Sequence, residues 1–455
     1  MRHLNFVLVL FVAAMLAACG DNGSRAGDQT LKTKFSAQIT FGDSLADVGT
    51  YAVGPIAAAG GGKYTINGNN VTLNPALTGT TWSELMAAQL SLPAPCAAQT
   101  GLDGDPAQGF SVPVVNHAGC FGYAQGGARV TNPVGPRNKL TGSPLGQLTV
   151  PVVTQIANHL AVSGGRFKSD EIVFLLAGGN DAFILLDQLA AGALAAGQAA
   201  GASTFASSLV AQLAAGATDP ASASVAIGTA LQAESARPGH TDASVVQAAV
   251  TAAAQQPGNA AGADPAVYGP MVTKAQSNAA AAGAAAGAKY ARDNGPAVVT
   301  AMGTAGAELA ALVKNRIVAN GANFVVVNAL PDIAITPGAL AQPAETRELI
   351  KAMVASFNDQ LKAGIAGDAK ILFVDLYALT HDESANPAPY GLTNTTMAAC
   401  GANALGGASL VCNGGNLAAG DVSHFMFADD YHPTPFEHLL VARYISQQMI
   451  ARGWI

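Results

Sequence analysis

The chain has 455 residues, half of them hydrophobic and only 11% charged, so it can bury a large core. Its net charge of −7 comes without a cluster of Lys and Arg, which argues against a nucleic-acid partner. Beyond residue 18 no run reads as both long and apolar enough to cross a bilayer, because Gly, Gln, Ser and charged residues break the Ala-rich stretches.

Residues 1–18 place Arg2 and His3 before an apolar run from Leu8 and end in small residues, which predicts a secretory signal peptide too short for a stable span. Leu16-Ala17-Ala18-Cys19 resembles a bacterial lipobox, in which cleavage leaves the cysteine N-terminal and its thiol carries diacylglycerol. An ordinary cleavage site with a chance cysteine is the alternative. Gly20 follows Cys19, so the inner-membrane retention pattern of Asp directly after the cysteine is absent. The expectation is an exported outer-membrane lipoprotein, on the periplasmic or cell-surface face or released outside the cell, with residues 19–34 as a lipidated tether and residues 35–455 as one domain.

Cys96, Cys120, Cys400 and Cys412 remain, an even number that suits an oxidising compartment. Three pairings are open. The pairs nearest in sequence, Cys96 with Cys120 and Cys400 with Cys412, would each close a modest loop in a Gly/Asn-rich segment. A four-cysteine zinc site competes, but no C-x-x-C spacing favours it.

The first predicted strand ends in "ITFGDSLADVGTY", where Ile39 and Phe41 meet a turn at Gly42 and Asp43 that holds Ser44 at the edge of a sheet. Taken alone, such a serine is a turn residue bonding its own backbone. A helix-like "TWSELMAAQL" follows, and continuous apolar runs recur at "EIVFLLAGGND", "NFVVVNALPD" and "KILFVDL". Runs without alternation read as strands buried on both faces. Helical patterns at 145–162, 301–319, 344–365 and the C-terminus alternate with them, which predicts a parallel sheet covered on both sides. Residues 187–296 break this rhythm. Ala, Gly, Ser and Gln dominate there, and the segment reads as a large, helical insertion, either a cap beside the active site or a spacer.

Near the C-terminus, "FMFADDYHPTPFEH" sets Asp429 three residues before His432, and Pro433 biases the histidine into an extended turn. The carboxylate can turn back to accept Nδ1–H and leave Nε2 free to take a proton. "LAGGND" puts Asn180 at the carboxyl end of a strand, and "GYAQGGARV" puts Gly126 and Gly127 in a tight turn. Open α/β sheets bind ligands at that edge. A backbone N–H and a side-chain amide there are the donors an acyl-transfer oxyanion needs.

"FGDSLADVG", "YAQGGA", "GGND" and "DDYHP" resemble, in order, the four motif blocks of the GDSL family of SGNH hydrolases, secreted esterases and lipases. The resemblance implies a flavodoxin-like three-layer α/β/α sandwich with a five-stranded parallel sheet. It also implies Ser44 as nucleophile, His432 as general base, Asp429 as its orienter, and Ser44 N–H, Gly127 N–H and the Asn180 amide as the oxyanion hole. The asparagine that usually opens the second block is Gly122 here, which leaves Gly126 as a competitor of Gly127. The expected activity is hydrolysis of a carboxylic ester or lipid with no metal, no cofactor and no obligate protein partner. An acyltransferase using the same site and a non-catalytic surface lipoprotein are the rivals. The remaining histidines show no H-E-x-x-H spacing for a metallohydrolase.

Overall fold

The computed structural model describes residues 32–455; the signal peptide, Cys19 and most of the tether lie outside the described residues. In chain order the strands are β1 (Ala37–Gly42), β2 (Gln99–Asp103), β3 (Ser111–Asn116), β4 (Glu171–Leu176), β5 (Phe324–Asn328), β6 (Ile371–Val374), β7 (Asn394–Ala398) and β8 (Phe425–Phe427). The helices of eight residues or more are α1 (Trp82–Gln89), α2 (Val152–Val162), α3 (Gly179–Ala214), α4 (Pro220–Ser235), α5 (Asp242–Ala254), α6 (Pro265–Leu312), α7 (Ala344–Ile365), α8 (Leu376–Ala385) and α9 (Pro435–Arg452).

The central sheet is parallel, with the order β1-β4-β5-β6 and registers such as Ile39 opposite Val173 and Val325 opposite Ile371. Side chains alternate between its faces. Ile39, Phe41, Val173, Leu175, Val325 and Val327 pack with α2, α6 and α7, while Ile172, Phe174, Leu176, Val326 and Val374 pack with α1 and α9. Both faces are therefore core, which is why these strands read as unbroken apolar runs. Each fully buried side chain of this kind is worth about 1.5–3 kcal/mol.

The sheet has four strands, where five were expected. Beside the outer edge of β1, Gly122 makes a single parallel bridge to Thr40, through Thr40 N–H to Phe121 O (3.0 Å) and Tyr123 N–H to Thr40 O (2.8 Å). The ladder goes no further because Gly42 N–H is taken by Gln155 Oε1 (2.9 Å), although Gln125 N–H still reaches Gly42 O (3.1 Å). The cysteines pair as Cys96–Cys120 and Cys400–Cys412, one of the three sets the sequence left open.

Residues 179–312 form two long helices with a smaller pair at their far end. Gly192 meets Tyr290, Gly197 meets Gly283 and Gly201 meets Ala279, so α3 and α6 run antiparallel. A Cβ at Gly197 or Gly283 would lie 2.9 Å from the other's carbonyl oxygen, so the Ala/Gly composition lets two backbones touch. At the far end Leu209 and Leu213 of α3 pack with Ile227, Leu231, Ala249, Val250 and Ala275 in a core of their own. That core lies roughly 45 Å of helix from Asn180. None of residues 188–329 lines either cavity that contains Ser44, so the bulk of this segment does not cap the serine. The structure also corrects the reading of the Ala-rich stretches as too broken to span a bilayer. Helices Gly179–Ala214 and Pro265–Asn320 each contain an 18-residue stretch that suffices for a span by length and composition alone, because helix propensity carries through their glycines.

Candidate active site

Ser44 stands two residues beyond β1. Gly42 has φ +149°, and a Cβ there would lie 2.1 Å from Leu176 O, so glycine is required for β1 to leave the sheet this close to β4. Gln155 of α2 braces the turn, accepting from Gly42 N–H (2.9 Å) and donating to Gly42 O (2.8 Å). Asp43 Oδ1 accepts Leu45 N–H (3.0 Å), which closes a tight loop beneath the serine. Burial pushes the Asp43 carboxyl up to about 7, against the Leu45 N–H that holds it down.

His432 lies between β8 and α9. Thr434 caps the helix, accepting Glu437 N–H (3.2 Å), and Pro435 starts it, so the chain before Thr434 is free to turn. Within that turn Ala428 N–H donates to His432 O (2.7 Å), and Asp429 Oδ1 accepts the N–H groups of Tyr431 (3.0 Å) and His432 (2.9 Å). The three-residue spacing thus folds the carboxylate back onto its own histidine. His432 Nδ1 is 2.8 Å from Asp429 Oδ1, and His432 Nε2 is 3.0 Å from Ser44 Oγ. With Nδ1–H donated to the carboxylate, Nε2 is left to accept from the serine hydroxyl.

Burial alone would raise the Asp429 carboxyl. The His432 imidazole, then the bonds from Ser409 and Tyr431, outweigh it and hold the group well below the usual carboxylate range. The Ser409 N–H donates to Asp429 Oδ2 (2.7 Å) from inside the loop closed by Cys400–Cys412. Tyr64 packs on the imidazole, ring centroids 4.8 Å apart.

Asn180 is the second residue of α3, and its Nδ2 donates to Ala128 O (2.9 Å), which points the amide at the Gly126-Gly127 turn. The structure separates the two glycines. Gly126 N–H donates to Asp47 Oδ2 (2.9 Å), whereas among the described residues neither Gly127 N–H nor Ser44 N–H donates to any protein acceptor. Asp47 also accepts Gly49 N–H (2.9 Å) and Thr50 N–H (2.8 Å), so one buried carboxylate ties the serine loop to the glycine turn. Burial pushes it up to about 6 despite these donors. Asp181, next to Asn180, accepts from Arg129 Nε (2.9 Å) and Val130 N–H (3.0 Å), joining α3 to the segment after that turn.

The sequence reading missed Tyr64, Gln155, Asp47 and Ser409. Asp47 stands inside the first motif block and was legible as a polar turn residue. Ser409 contributes through its backbone N–H, which no residue type announces.

Ser44, Asn180, Phe183, Tyr431 and His432 line two cavities. One is narrow, about 90 Å³, with Leu45, Trp82, Leu176, Leu330, Met426 and Val441 in its walls. Glu437 and His438 also line it and are wholly buried. Burial pushes the Glu437 carboxyl well above the usual range and lowers His438 to about 3, so burial favours the neutral form of both side chains. The other is an open cleft of about 660 Å³ that includes Gly127, Arg137, Gln147 and Asp430.

A hydroxyl, an imidazole and a carboxylate bonded in series at the carboxyl edge of a parallel sheet define a class, the α/β proteins with a serine–histidine–aspartate constellation. Residues 297–445, which include Asp429 and His432, match the family model described as GDSL-like Lipase/Acylhydrolase. The chain is 38% identical over 77 residues to Lipase 1 of Photorhabdus luminescens, covering 17% of this chain and 12% of that protein. It is 29% identical over 133 residues to a GDSL esterase/lipase of Arabidopsis thaliana, covering 27% of this chain and 36% of the relative. A second Arabidopsis GDSL esterase/lipase is 30% identical over 96 residues, 21% and 26% of the two chains. The aligned stretches thus span about a third or less of these relatives. The family-model match and these relatives support the GDSL family for the stretches they cover.

Proposed function

We propose that this protein is a serine esterase or lipase that hydrolyses carboxylic esters through an acyl-enzyme on Ser44. The observation that carries the reading is the Ser44–His432–Asp429 series set beside two backbone N–H groups without protein acceptors. His432 Nε2 takes the Ser44 proton as Oγ attacks the ester carbonyl, and Asp429 holds the imidazole in the required tautomer and stabilises the imidazolium that forms. Ser44 N–H, Gly127 N–H and the second Nδ2 hydrogen of Asn180 receive the oxyanion. The imidazolium then protonates the leaving alcohol, and water repeats the sequence on the acyl-enzyme. The narrow apolar cavity suits the acyl group and the open, polar cleft the alcohol.

A fluorophosphonate probe tests this reading: peptide mapping should find the adduct on Ser44, and an adduct confined to another serine would sink it. Replacing Asn180 by alanine should lower turnover roughly 10²- to 10³-fold, the usual loss for one oxyanion donor. Unchanged turnover would reduce Asn180 to its bond with Ala128. Adding an alcohol and measuring the partition of product between acid and new ester separates hydrolase from acyltransferase.

Within this reading the fold is flavodoxin-like, with the Gly122 bridge as the remnant of a fifth strand beyond β1. The enzyme is exported and tethered to the outer membrane by a lipid on Cys19, because a lipobox-like run precedes a polar linker. Cys19→Ser should then leave the enzyme active but release it from the membrane fraction. Retention after a carbonate wash would exclude the anchor.

A further inference from the structure

Phe183 and Tyr431 come from opposite ends of the chain, one in the first turns of α3 and the other beside His432, and their ring centroids stand 4.6 Å apart at 56°. Both rings line the narrow cavity at Ser44. Both also line a separate groove of about 900 Å³. That groove runs between the bases of α3 and α6 and the face of α7, with Leu186, Ala190, Val299, Leu349 and Ile350 in its walls. Ile333 is shared as well, so the two spaces adjoin at these three side chains. The Tyr431 ring is held from behind, since a Cβ on Gly338 would lie 2.6 Å from it and Gly338 N–H donates to Asp430 O (3.0 Å).

The volumes decide what such a wall does. A pocket of about 90 Å³ is smaller than the roughly 150 Å³ cavity that holds a benzene ring, so it accepts only a few carbons. The groove behind it is ten times larger and largely apolar. We infer that the Phe183–Tyr431 pair is a specificity-determining partition that confines the enzyme to short acyl groups and closes off the groove at the base of the insertion, which would otherwise take the distal part of a long acyl chain. The occupant follows from adjacency, because the groove shares Phe183, Ile333 and Tyr431 with the cavity at Ser44, and Asp187, Arg292 and Glu345 are the charged residues in an otherwise largely apolar lining. This inference rests on the esterase reading.

The test compares kcat/KM of the purified full-length protein on p-nitrophenyl butyrate and p-nitrophenyl palmitate, both in mixed detergent micelles. The wild type should favour butyrate strongly. Phe183→Ala and Tyr431→Ala should each raise the palmitate-to-butyrate ratio by about tenfold or more, the scale on which a hydrophobic pocket discriminates. Tyr431 is 39% exposed and its truncation does not open the core, so it keeps the test valid if Phe183→Ala fails to fold. Adding Ala190→Phe to either variant refills the groove and should cancel the gain. A wild type equally active on both esters, ratios unmoved by both truncations, or a gain that survives refilling would each overturn the inference. Ser44→Ala assayed alongside separates the two levels: butyrate hydrolysis that persists without Ser44 defeats the esterase reading, whatever the ratios do.

Discussion

Replacing Ser44 with alanine should lower kcat for ester hydrolysis by about 10⁶, close to the loss on removing a serine nucleophile from a complete triad. The Oγ atom makes one bond, to His432 Nε2, and lines two cavities that water can reach once it is gone. Its removal therefore leaves no buried group stranded, and the stability change should stay within about 1 kcal/mol. The backbone N–H of residue 44 survives the substitution, as do Gly127 and Asn180, so a residual acceleration of roughly 10³–10⁴ over water is expected from the oxyanion donors and binding alone. Turnover on a short ester, with circular dichroism and a thermal melt to establish folding, measures both. A folded variant that keeps more than a tenth of the wild-type rate would remove Ser44 from the chemistry.

Asp429→Asn should lower kcat by about 10⁴. Asp429 accepts from four donors: His432 Nδ1, His432 N–H, Tyr431 N–H and Ser409 N–H. An amide has one oxygen for them and must turn its NH₂ either against Ser409 N–H or, in the Oδ1 position, against the N–H groups of Tyr431 and His432 and towards Nδ1. The second arrangement puts the imidazole proton on Nε2, where it faces the Ser44 hydroxyl and cannot receive its proton. The same change has a stability signature with a definite sign. The folded carboxyl sits below its ordinary value of 3.8, so its ionised form contributes stability that is fully present above that value and is lost as the pH falls through the folded one. The wild type should therefore melt higher than Asp429→Asn at pH 6–7, and the gap should shrink as the buffer is taken below about pH 4. A gap that stays constant or widens in acid would mean the carboxylate is not held as described.

Much of the site is written locally, and the local parts were legible. A glycine at the end of an apolar run, a carboxylate three residues before a histidine, and an asparagine opening a helix each need only their own segment to be recognised, and the structure brings Ser44, His432, Asp429, Gly127 and Asn180 to one edge of the sheet. The four strands were legible too, because burial on both faces demands unbroken apolar runs. Tertiary structure decided the rest. Of the two neighbouring glycines, Gly126 has its N–H occupied by Asp47, a carboxylate 79 residues away, while the Gly127 N–H meets no protein acceptor among the described residues. The long-range donor to Asp429 is the Ser409 backbone, and the ring contact beside the Ser44 cavity joins residues 248 positions apart, Phe183 and Tyr431. The insertion shows the limit most clearly: its alanines dictate helix by propensity alone, but without an apolar stripe they carry no direction. The contacts of Gly192 with Tyr290, Gly197 with Gly283 and Gly201 with Ala279 set the two helices side by side, and their shared core lies away from the serine. Local rules act through a residue and its immediate neighbours, whereas these contacts depend on where distant segments have already been fixed by the sheet.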